Sequence, residues 1–240
     1  MRRSRDCGTV SMKQRGQTDQ RRFDPTLYLV INPHQCTHHT PAETARQAVL
    51  GGVTAVQIRS KTMDFERFVH LASPLADELS QYNVPVFVND RVDFAAACSI
   101  GGVHLGQSDL PVIRAQEILG DQILIGLTVR SVREAQQAAL NPISYVSVGG
   151  VFPTHSKADA GSSIGLDALR EICQVIRKRD PVMPIIAISG INESNIQSVI
   201  RAGVDGAAVV SAICESQEPF NSARKLRDLI DQAKQEQQTS

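Results

Sequence analysis

Two aspartates stand where parallel strands would place a cation site. Asp90 follows the apolar run 84–89, and Asp109 comes shortly after the next run, 100–105. Because neighbouring strands lie about 4.8 Å apart and end at one edge, the two carboxylates can share a hard cation. Mg²⁺ prefers few protein carboxylates, together with water and phosphate oxygens. Two alternatives stay open: Asp109 caps the helix that follows it, and Asp90 pairs with Arg91.

Three cationic side chains can supply a diphosphate site at the same edge. Arg59 and Lys61 end another apolar run, and Lys157 follows the hydroxyl residues Thr154 and Ser156. Arginine offers phosphate oxygens a planar fork, whereas lysine offers a mobile point charge. The alternative is that Arg59 and Lys61 are ordinary solvated charges at the end of a strand. Beside a carboxylate-bound Mg²⁺, these residue types predict a binding site for diphosphate.

Small residues after the last two apolar runs indicate a second anion site. Ser189-Gly190 follows one run and Val210-Ser211 ends the other. In barrels of parallel strands this is where backbone amides most often bind phosphate, and glycine lets the backbone approach closely. Simple turn chemistry is the alternative, because glycine and serine serve turns equally well. Two anion sites at one edge predict two phosphorylated ligands.

Histidine and cysteine are dense in the segment after the first apolar run, which contains His34, Cys36, His38 and His39. Such side chains bind Zn²⁺, but no fourth ligand stands at the spacing of a zinc motif. A surface loop is therefore the favoured interpretation. His104 lies at the end of a buried run, and we expect a hydrogen-bonded core histidine there.

These residues need a scaffold that gathers the ends of strands, and the apolar pattern supplies one. Eight apolar runs alternate with amphipathic helical patterns, and most runs are continuously apolar, as in parallel strands covered on both faces. The predicted fold is α/β, a single (β/α)8 TIM barrel. A doubly wound open sheet is the rival, disfavoured because no G-x-G-x-x-G sequence follows the first strand. The predicted strands are 27–31, 53–59, 84–89, 100–105, 123–128, 143–148, 184–189 and 205–211, and the helices are 42–50, 64–79, 110–119, 131–140, 164–178, 193–203 and 219–235.

Composition excludes several classes of protein. The 240 residues carry 25 basic and 25 acidic side chains, so we expect no general attraction to nucleic acid or acidic membranes. No apolar stretch approaches the ~18 residues of a membrane span, and no apolar segment typical of a secretory signal follows the N-terminal arginines. The five scattered cysteines contain no C-x-x-C pair, which indicates reduced thiols and a cytoplasmic protein.

The beginning of the chain differs from the rest. Residues 1–24 carry seven basic and three acidic side chains with almost no aliphatic content. Such a segment cannot bury enough surface to offset its ordering entropy. We therefore predict a disordered basic tail over residues 1–26 and one barrel domain over 27–238. A basic arm that contacts nucleic acid or a partner is the alternative.

Six ordered segments closely resemble those of thiamine phosphate synthases, and the resemblance covers roughly residues 27–230. Six motifs in one order are far more specific than any one of them. The resemblance implies a TIM-barrel enzyme that uses Mg²⁺, acts on two small molecules and has a possible homodimeric state. The segments are GGVTAVQIRSK, VFVNDRVDFA, GGVHLGQSDLP, VGGVFPTHSKADA, AISGI and AGVDGAAVVSAI.

The resemblance also implies roles for single positions. Asp90 and Asp109 match the Mg²⁺ ligands of the family. The implied catalytic residues are Arg59, Lys61, Lys157 and Thr128. The implied pocket for 4-amino-2-methyl-5-pyrimidinylmethyl diphosphate comprises Gln57, Ile58, Arg59, Ser60, Lys61, Asn89 and Thr128, with Lys157 on the diphosphate. The implied residues for the thiazole phosphate are Thr154, Ser156, Gly190, Val210 and Ser211. His155 is a further implied substrate-binding residue, without a particular substrate.

The implied reaction is a dissociative substitution. Diphosphate leaves the pyrimidinylmethyl carbon, helped by Mg²⁺ and the surrounding cations. The nitrogen of 4-methyl-5-(2-phosphooxyethyl)thiazole captures the carbocation, which gives thiamine phosphate and diphosphate. No general base is then needed, because positioning and electrostatics carry most of the catalysis.

Several positions depart from the family pattern. Thr128 replaces a common serine, Ser156 a common threonine, Ser189 a common glycine and Arg130 a common histidine. A related subfamily of thiazole tautomerases depends on a histidine in the segment that holds Arg130, so a tautomerase is one alternative. A non-catalytic barrel that binds thiamine intermediates and regulates is another. The intact P-T-x-S-K sequence at 153–157 favours the synthase.

Overall fold

The computed structural model describes residues 24–98, 100–156 and 162–239. The tail predicted over residues 1–26 therefore lies outside the described residues, apart from its last three positions. Within the described part of the chain, eight parallel strands form a closed barrel in sequence order. The prediction of a (β/α)8 barrel is confirmed, and the rival open sheet is wrong.

Each strand begins and ends within two residues of the ends of the apolar run that predicted it. Most positions in these strands are buried, since the barrel interior covers one face and the helices cover the other. The first and last strands pair in parallel, with Leu27 beside Ala207 and Leu29 beside Val209, and this pairing closes the barrel. The strands are β1 (Leu27–Ile31), β2 (Ala55–Ile58), β3 (Val86–Asn89), β4 (Gly102–Leu105), β5 (Leu124–Val129), β6 (Tyr145–Val148), β7 (Ile185–Ile188) and β8 (Gly206–Val209).

Helices surround the barrel, and the sequence predicts the seven of them that have a clear amphipathic pattern. The short helices α3 and α8 were not predicted, because six and four residues are too few to show a 3.6-residue period. The described helices are α1 (Pro41–Leu50), α2 (Phe65–Ser80), α3 (Val92–Ala97), α4 (Val112–Leu119), α5 (Val132–Ala138), α6 (Gly165–Arg179), α7 (Ile196–Ile200), α8 (Ser211–Cys214) and α9 (Pro219–Gln238). Among the described residues, no helix is long and apolar enough to cross a membrane.

Side-chain caps fix where three of these helices begin. The side chains of Thr40, Asp64 and Ser131 each accept a hydrogen bond from the backbone N–H three residues later. Such a cap satisfies one of the N–H groups that a helix leaves unpaired at its first turn. Because each capped helix follows a strand, the caps also hold the loops at the carboxyl ends of β1, β2 and β5.

Three aromatic rings fill the interior of the barrel. Tyr28, Phe87 and Tyr145 contact one another, with ring centroids 5.5 to 5.9 Å apart. Their size is matched by glycines on neighbouring strands. A Cβ atom at Gly126 would lie 2.1 Å from Cζ of Tyr145, and one at Gly102 would lie 2.3 Å from Cε1 of Phe87. Large and small residues thus alternate around the interior, as a closed barrel of this size requires.

We expect Gly126→Ala to destabilise the barrel strongly, because its Cβ would overlap the ring of Tyr145. Overpacking of this kind costs about 3 kcal/mol of unfolding free energy. Gly165→Ala is the matched control: no heavy atom lies within 4 Å of its Cβ position, and only its φ of 77° opposes a side chain, a cost of about 1–2 kcal/mol. Urea denaturation of both variants measures the difference, and equal losses would contradict the packing argument.

Candidate active site

A pocket opens at the carboxyl ends of the strands and reaches down into the barrel interior. Nine of the residues predicted from the sequence line it, and they come from six strands or the loops that follow them. The pocket therefore gathers side chains that are far apart in the chain, as the barrel predicts. These nine residues are Gln57, Arg59, Asn89, Thr128, Thr154, Ser156, Gly190, Val210 and Ser211.

Four other predicted substrate-binding residues do not line this pocket. The side chain of Ile58 packs into the core between barrel and helices, because alternate residues of β2 face opposite sides. Ser60 accepts a hydrogen bond from the backbone N–H of Met63 at 3.1 Å. Lys61 and His155 are exposed at the rim. Lys157, the predicted diphosphate ligand, lies outside the described residues.

The two predicted metal ligands lie side by side at the rim. The carboxyls of Asp90 and Asp109 are close enough to act on each other's charge. Burial, and then the neighbouring Asp109 carboxyl, raise the pKa of Asp90 from its ordinary value of 3.8 to about 6, while Arg59 and Lys61 oppose the shift. Two acidic groups held this close favour sharing a positive charge.

Both alternative roles for these aspartates are wrong. Asp109 does not cap α4: the capping position is Pro111, and Oδ2 of Asp109 instead accepts a hydrogen bond from the N–H of Gly106 at 2.6 Å. Arg91 forms its ion pair with Asp93, two residues further along, rather than with Asp90. Neither carboxyl therefore has the role that its alternative assigns to it.

The backbone at Asp90 is held in a conformation that few residues adopt. Its φ is 64°, in the left-handed region, and its N–H donates to the carbonyl oxygen of His104 at 2.9 Å. Aspartate tolerates this region better than most residues. The hydrogen bond ties the end of β3 to β4, and this turn brings the carboxyl of Asp90 toward Asp109 in the loop after β4.

The donor set fits Mg²⁺ better than a softer metal. Mg²⁺ takes oxygen ligands and commonly retains water while binding one or two carboxylates and substrate phosphates. In the described part of the chain, no group of three or more histidine, cysteine or acidic side chains is arranged to hold a metal. The pair of Asp90 and Asp109 therefore leaves open positions for water and phosphate oxygens.

The loops after β6 and β7 form a close backbone cradle. Gly190 has φ 66°, and a Cβ there would lie 2.4 Å from the carbonyl oxygen of Pro153. Ser189 has φ 94°, and its hydroxyl accepts a hydrogen bond from the N–H of Gly150 at 3.1 Å. Positive φ explains why glycine is usual at this position in the family that the sequence resembles. Serine at this position lacks the conformational freedom of glycine, but its hydroxyl forms a hydrogen bond that joins two loops.

The predicted core histidine is confirmed, and it also lines the pocket. His104 is 8% exposed, and its two ring nitrogens hydrogen-bond Tyr145 and Thr128. Other lining residues were not predicted, among them Tyr28 and Ser147. The alternation of side chains along a strand could have identified them. Each lies two positions from another residue that lines the pocket, and therefore on the same face of its strand.

The segment rich in histidine and cysteine is a rim loop that contains a short 3-10 helix, Pro33–Gln35. Two of its histidines have separate partners: Nε2 of His34 lies 3.2 Å from Oγ1 of Thr62, and Nε2 of His39 lies 3.0 Å from the carbonyl oxygen of Gln217. The loop is therefore fastened to two different neighbours across the rim.

Comparisons with known proteins agree with this geometry. The family model described as thiamine monophosphate synthase matches residues 27–213. A thiamine-phosphate synthase from Albidiferax ferrireducens is 40% identical over 85% of this chain and 91% of its own length, and one from Clostridium novyi is 38% identical over 85% and 97%. A solved thiamine phosphate pyrophosphorylase from Pyrococcus furiosus is 33% identical, with a TM-score of 0.78, over 88% of this chain and 98% of its own.

We expect Asp90→Asn to stabilise the metal-free protein at pH 7.5 but not at pH 4. The folded protein binds the Asp90 proton more tightly than the unfolded chain does, so the stability contributed by protonation is full below about pH 4 and is lost as the pH rises through about 6. Asparagine removes that charge and tolerates the positive φ. Thermal unfolding in EDTA at both pH values measures the effect.

Asp93→Asn is the matched control for this experiment. Arg91 holds the pKa of Asp93 below its usual range, so neutralising Asp93 removes a favourable pair and gives no gain at pH 7.5. If the two variants behave alike, the repulsion between Asp90 and Asp109 is not what destabilises the rim.

A pair of variants isolates the backbone strain at Ser189. Ser189→Gly and Ser189→Ala both remove the hydroxyl that accepts from Gly150, but only glycine relieves the φ of 94°. We expect the glycine variant to be about 1–2 kcal/mol more stable than the alanine variant. Chemical denaturation gives both unfolding free energies, and an alanine variant as stable as the glycine variant would show that the backbone there is unstrained.

Proposed function

The chain belongs to the thiamine monophosphate synthase family, and on that premise we propose that it joins two thiamine precursors. It is a transferase that moves the 4-amino-2-methyl-5-pyrimidinylmethyl group from its diphosphate to the nitrogen of 4-methyl-5-(2-phosphooxyethyl)thiazole. Thiamine phosphate and diphosphate are the products. The observation that carries the proposal is the pair of rim carboxyls, Asp90 and Asp109, beside the cations Arg59 and Lys61.

The carboxyl pair and the cations are suited to a diphosphate leaving group. Arg59 lines the pocket, and both Arg59 and Lys61 act on the charge of Asp90 from nearby. In the proposed reaction they bind the oxygens on which charge develops as the bond to carbon breaks. Mg²⁺ held by Asp90 and Asp109 would neutralise part of the same charge. Lys157 has its proposed place on the diphosphate from the family resemblance alone.

The pyrimidine and the thiazole need only be held in line. Gln57, Asn89 and Thr128 are proposed to hold the pyrimidine, since all three line the pocket on one side of the rim. Once diphosphate has left with the bonding electron pair, the thiazole nitrogen donates its lone pair to the methylene carbon. No proton is transferred, which agrees with the absence of any requirement for a general base.

The thiazole phosphate is proposed to bind on the opposite side of the pocket. Thr154 and Ser156 offer hydroxyls there, and Gly190 brings the backbone close because it lacks a Cβ atom. Val210 and Ser211 complete the lining of this side. Two phosphorylated ligands then face each other across one pocket, which brings the nucleophilic nitrogen to the reacting carbon.

The two other functions that the sequence left open are not favoured. The relatives found by comparison are named as synthases over nearly their whole length. At the position on which a tautomerase depends, Arg130 donates a hydrogen bond to the carbonyl oxygen of Ser162 at 2.7 Å. We place the reaction in the cytoplasm as part of this proposal, since the four described cysteines are free thiols. The homodimer stays a prediction.

A direct assay tests the proposal. The purified chain is supplied with the pyrimidine diphosphate, the thiazole phosphate and Mg²⁺, and thiamine phosphate is followed after oxidation to its fluorescent thiochrome. We expect product that disappears with EDTA, and a loss of turnover of about 100-fold or more in Asp90→Ala and Asp109→Ala.

Asp93→Ala is the control carboxylate and should keep its rate, since Asp93 lies on α3 and forms its ion pair with Arg91 rather than joining the carboxyl pair. Product formation that survives in both Asp90→Ala and Asp109→Ala would rule out the carboxyl pair as the metal site. A folded chain that makes no thiamine phosphate would overturn the proposed function itself.

A further inference from the structure

A continuous hydrogen-bond chain crosses the interior of the barrel beneath the pocket. Nε2 of Gln57 donates to the hydroxyl of Tyr28 at 3.1 Å, and the hydroxyls of Tyr28 and Tyr145 lie 3.0 Å apart. The Tyr145 hydroxyl lies 2.8 Å from Nδ1 of His104. Nε2 of His104 lies 2.7 Å from Oγ1 of Thr128. We call these five side chains, each from a different strand, the interior chain.

Four of the five side chains of the interior chain line the pocket, and Tyr145 is the one that does not. Gln57 and Thr128 line the pocket with Asn89. Tyr28 is 1% exposed and Tyr145 is fully buried. Burial raises the pKa of both phenols, so each keeps its proton. In such surroundings every link needs its donor matched to an acceptor, because an unmatched buried polar group is costly.

When the single protons of the middle links are all used within the interior chain, two arrangements result. A phenol carries one O–H, and a neutral imidazole carries one N–H. When Tyr28 accepts from Gln57, it donates to Tyr145. Tyr145 then donates to Nδ1 of His104, which leaves the ring proton on Nε2 and directs it to Thr128. In the reverse arrangement, the donor and the acceptor change places in every hydrogen bond of the interior chain. The Gln57 carbonyl oxygen must then accept from Tyr28.

The orientation of the Gln57 amide selects the first arrangement, because its nitrogen faces Tyr28. The amide then presents its carbonyl oxygen, an acceptor, to the pocket. At the other end the Thr128 hydroxyl accepts from His104 and keeps its own proton for a ligand. The interior chain therefore fixes what both ends offer: an acceptor at Gln57 and a donor at Thr128.

We propose that Tyr28, Tyr145 and His104 are positioning residues that select an aminopyrimidine over an oxopyrimidine. The inference rests on the proposed function for the identity of the substrate. An amino group at C4 donates an N–H to the Gln57 carbonyl oxygen. An oxo group there would set one acceptor against another, and sites that depend on a hydrogen bond reject ligands that leave it unmade.

The tautomer of His104 tests this polarity in the unmodified protein and without turnover. In ¹⁵N-histidine NMR at pH 8, we expect His104 to carry its proton on Nε2 and to have an unprotonated Nδ1. The signal is assigned by its loss in His104→Gln. A proton on Nδ1 would overturn the inference, since it means that the interior chain has the opposite polarity.

Tyr145→Phe breaks the interior chain while keeping the ring. We expect the KM for the pyrimidine diphosphate to rise about fivefold to tenfold, the loss of one hydrogen bond, with the KM for the thiazole phosphate unchanged. Discrimination against the 4-oxo analogue of the pyrimidine diphosphate should fall by a similar factor. Phe87→Leu is the control, because Phe87 packs on Tyr28 and Tyr145 without belonging to the interior chain.

A double-mutant cycle separates positioning from packing. If Tyr145 acts through Gln57, then Tyr145→Phe has no further effect on the pyrimidine KM or on discrimination in a Gln57→Ala background. Additive effects, or an equal loss of discrimination in Phe87→Leu, would overturn the positioning role. A chain that shows the Nε2–H tautomer but makes no thiamine phosphate would remove the proposed function and with it the substrate, while the measured polarity would remain.

Discussion

The parallel pairing of β1 with β8 is the constraint on which the site depends. Leu27 and Leu29 lie beside Ala207 and Val209, so the first and last strands of the chain become neighbours. Closure places all eight carboxyl ends on one rim, and residues as distant in sequence as Gln57 and Ser211 then line one pocket. In an open sheet with the same strands, β1 and β8 would lie at opposite edges and the two sides of the pocket would be separated.

The fold could be predicted from the sequence because its signal is repeated eight times. Each apolar run is long enough to be a buried strand, and each is followed by a turn and, in most cases, an amphipathic helix. The polar rim could be predicted for the same reason, since Arg59, Asn89 and Thr128 each lie at the end of such a run. Position along a strand, rather than any single motif, was the useful information.

The sequence could not predict which face of a strand a side chain occupies, or which side chains from different strands meet. Tyr28 and Tyr145 lie within apolar runs, where a tyrosine is expected to be core, and only the closed barrel shows that their hydroxyls meet. Ile58 belongs to a motif that suggests substrate contact, yet its side chain faces the helices because its neighbour Gln57 faces the interior. The contact between Asp90 and Asp109 needed the turn at Asp90, which has no sequence signature of its own.

The site also concentrates features that oppose stability. Asp90 and Ser189 follow directly on β3 and β7, and both have positive φ without being glycine. In addition, the neighbouring carboxyl of Asp109 raises the pKa of Asp90, because two like charges there would repel each other. Such strain and charge persist only because the barrel holds the strand ends in place, and functional sites are where proteins commonly keep them.

The fit between Gly126 and Tyr145 has a consequence for how this protein can evolve. The ring of Tyr145 occupies the space that a side chain at position 126 would need, so the two positions share one volume and are bound to change together. A lineage that gained a side chain at 126 would first have to give up the large ring at 145. That step would also cut the hydrogen-bonded path between Gln57 and Thr128. The history of a glycine on β5 is thus tied to the proposed recognition of substrate at the rim, although the glycine itself does not line the pocket.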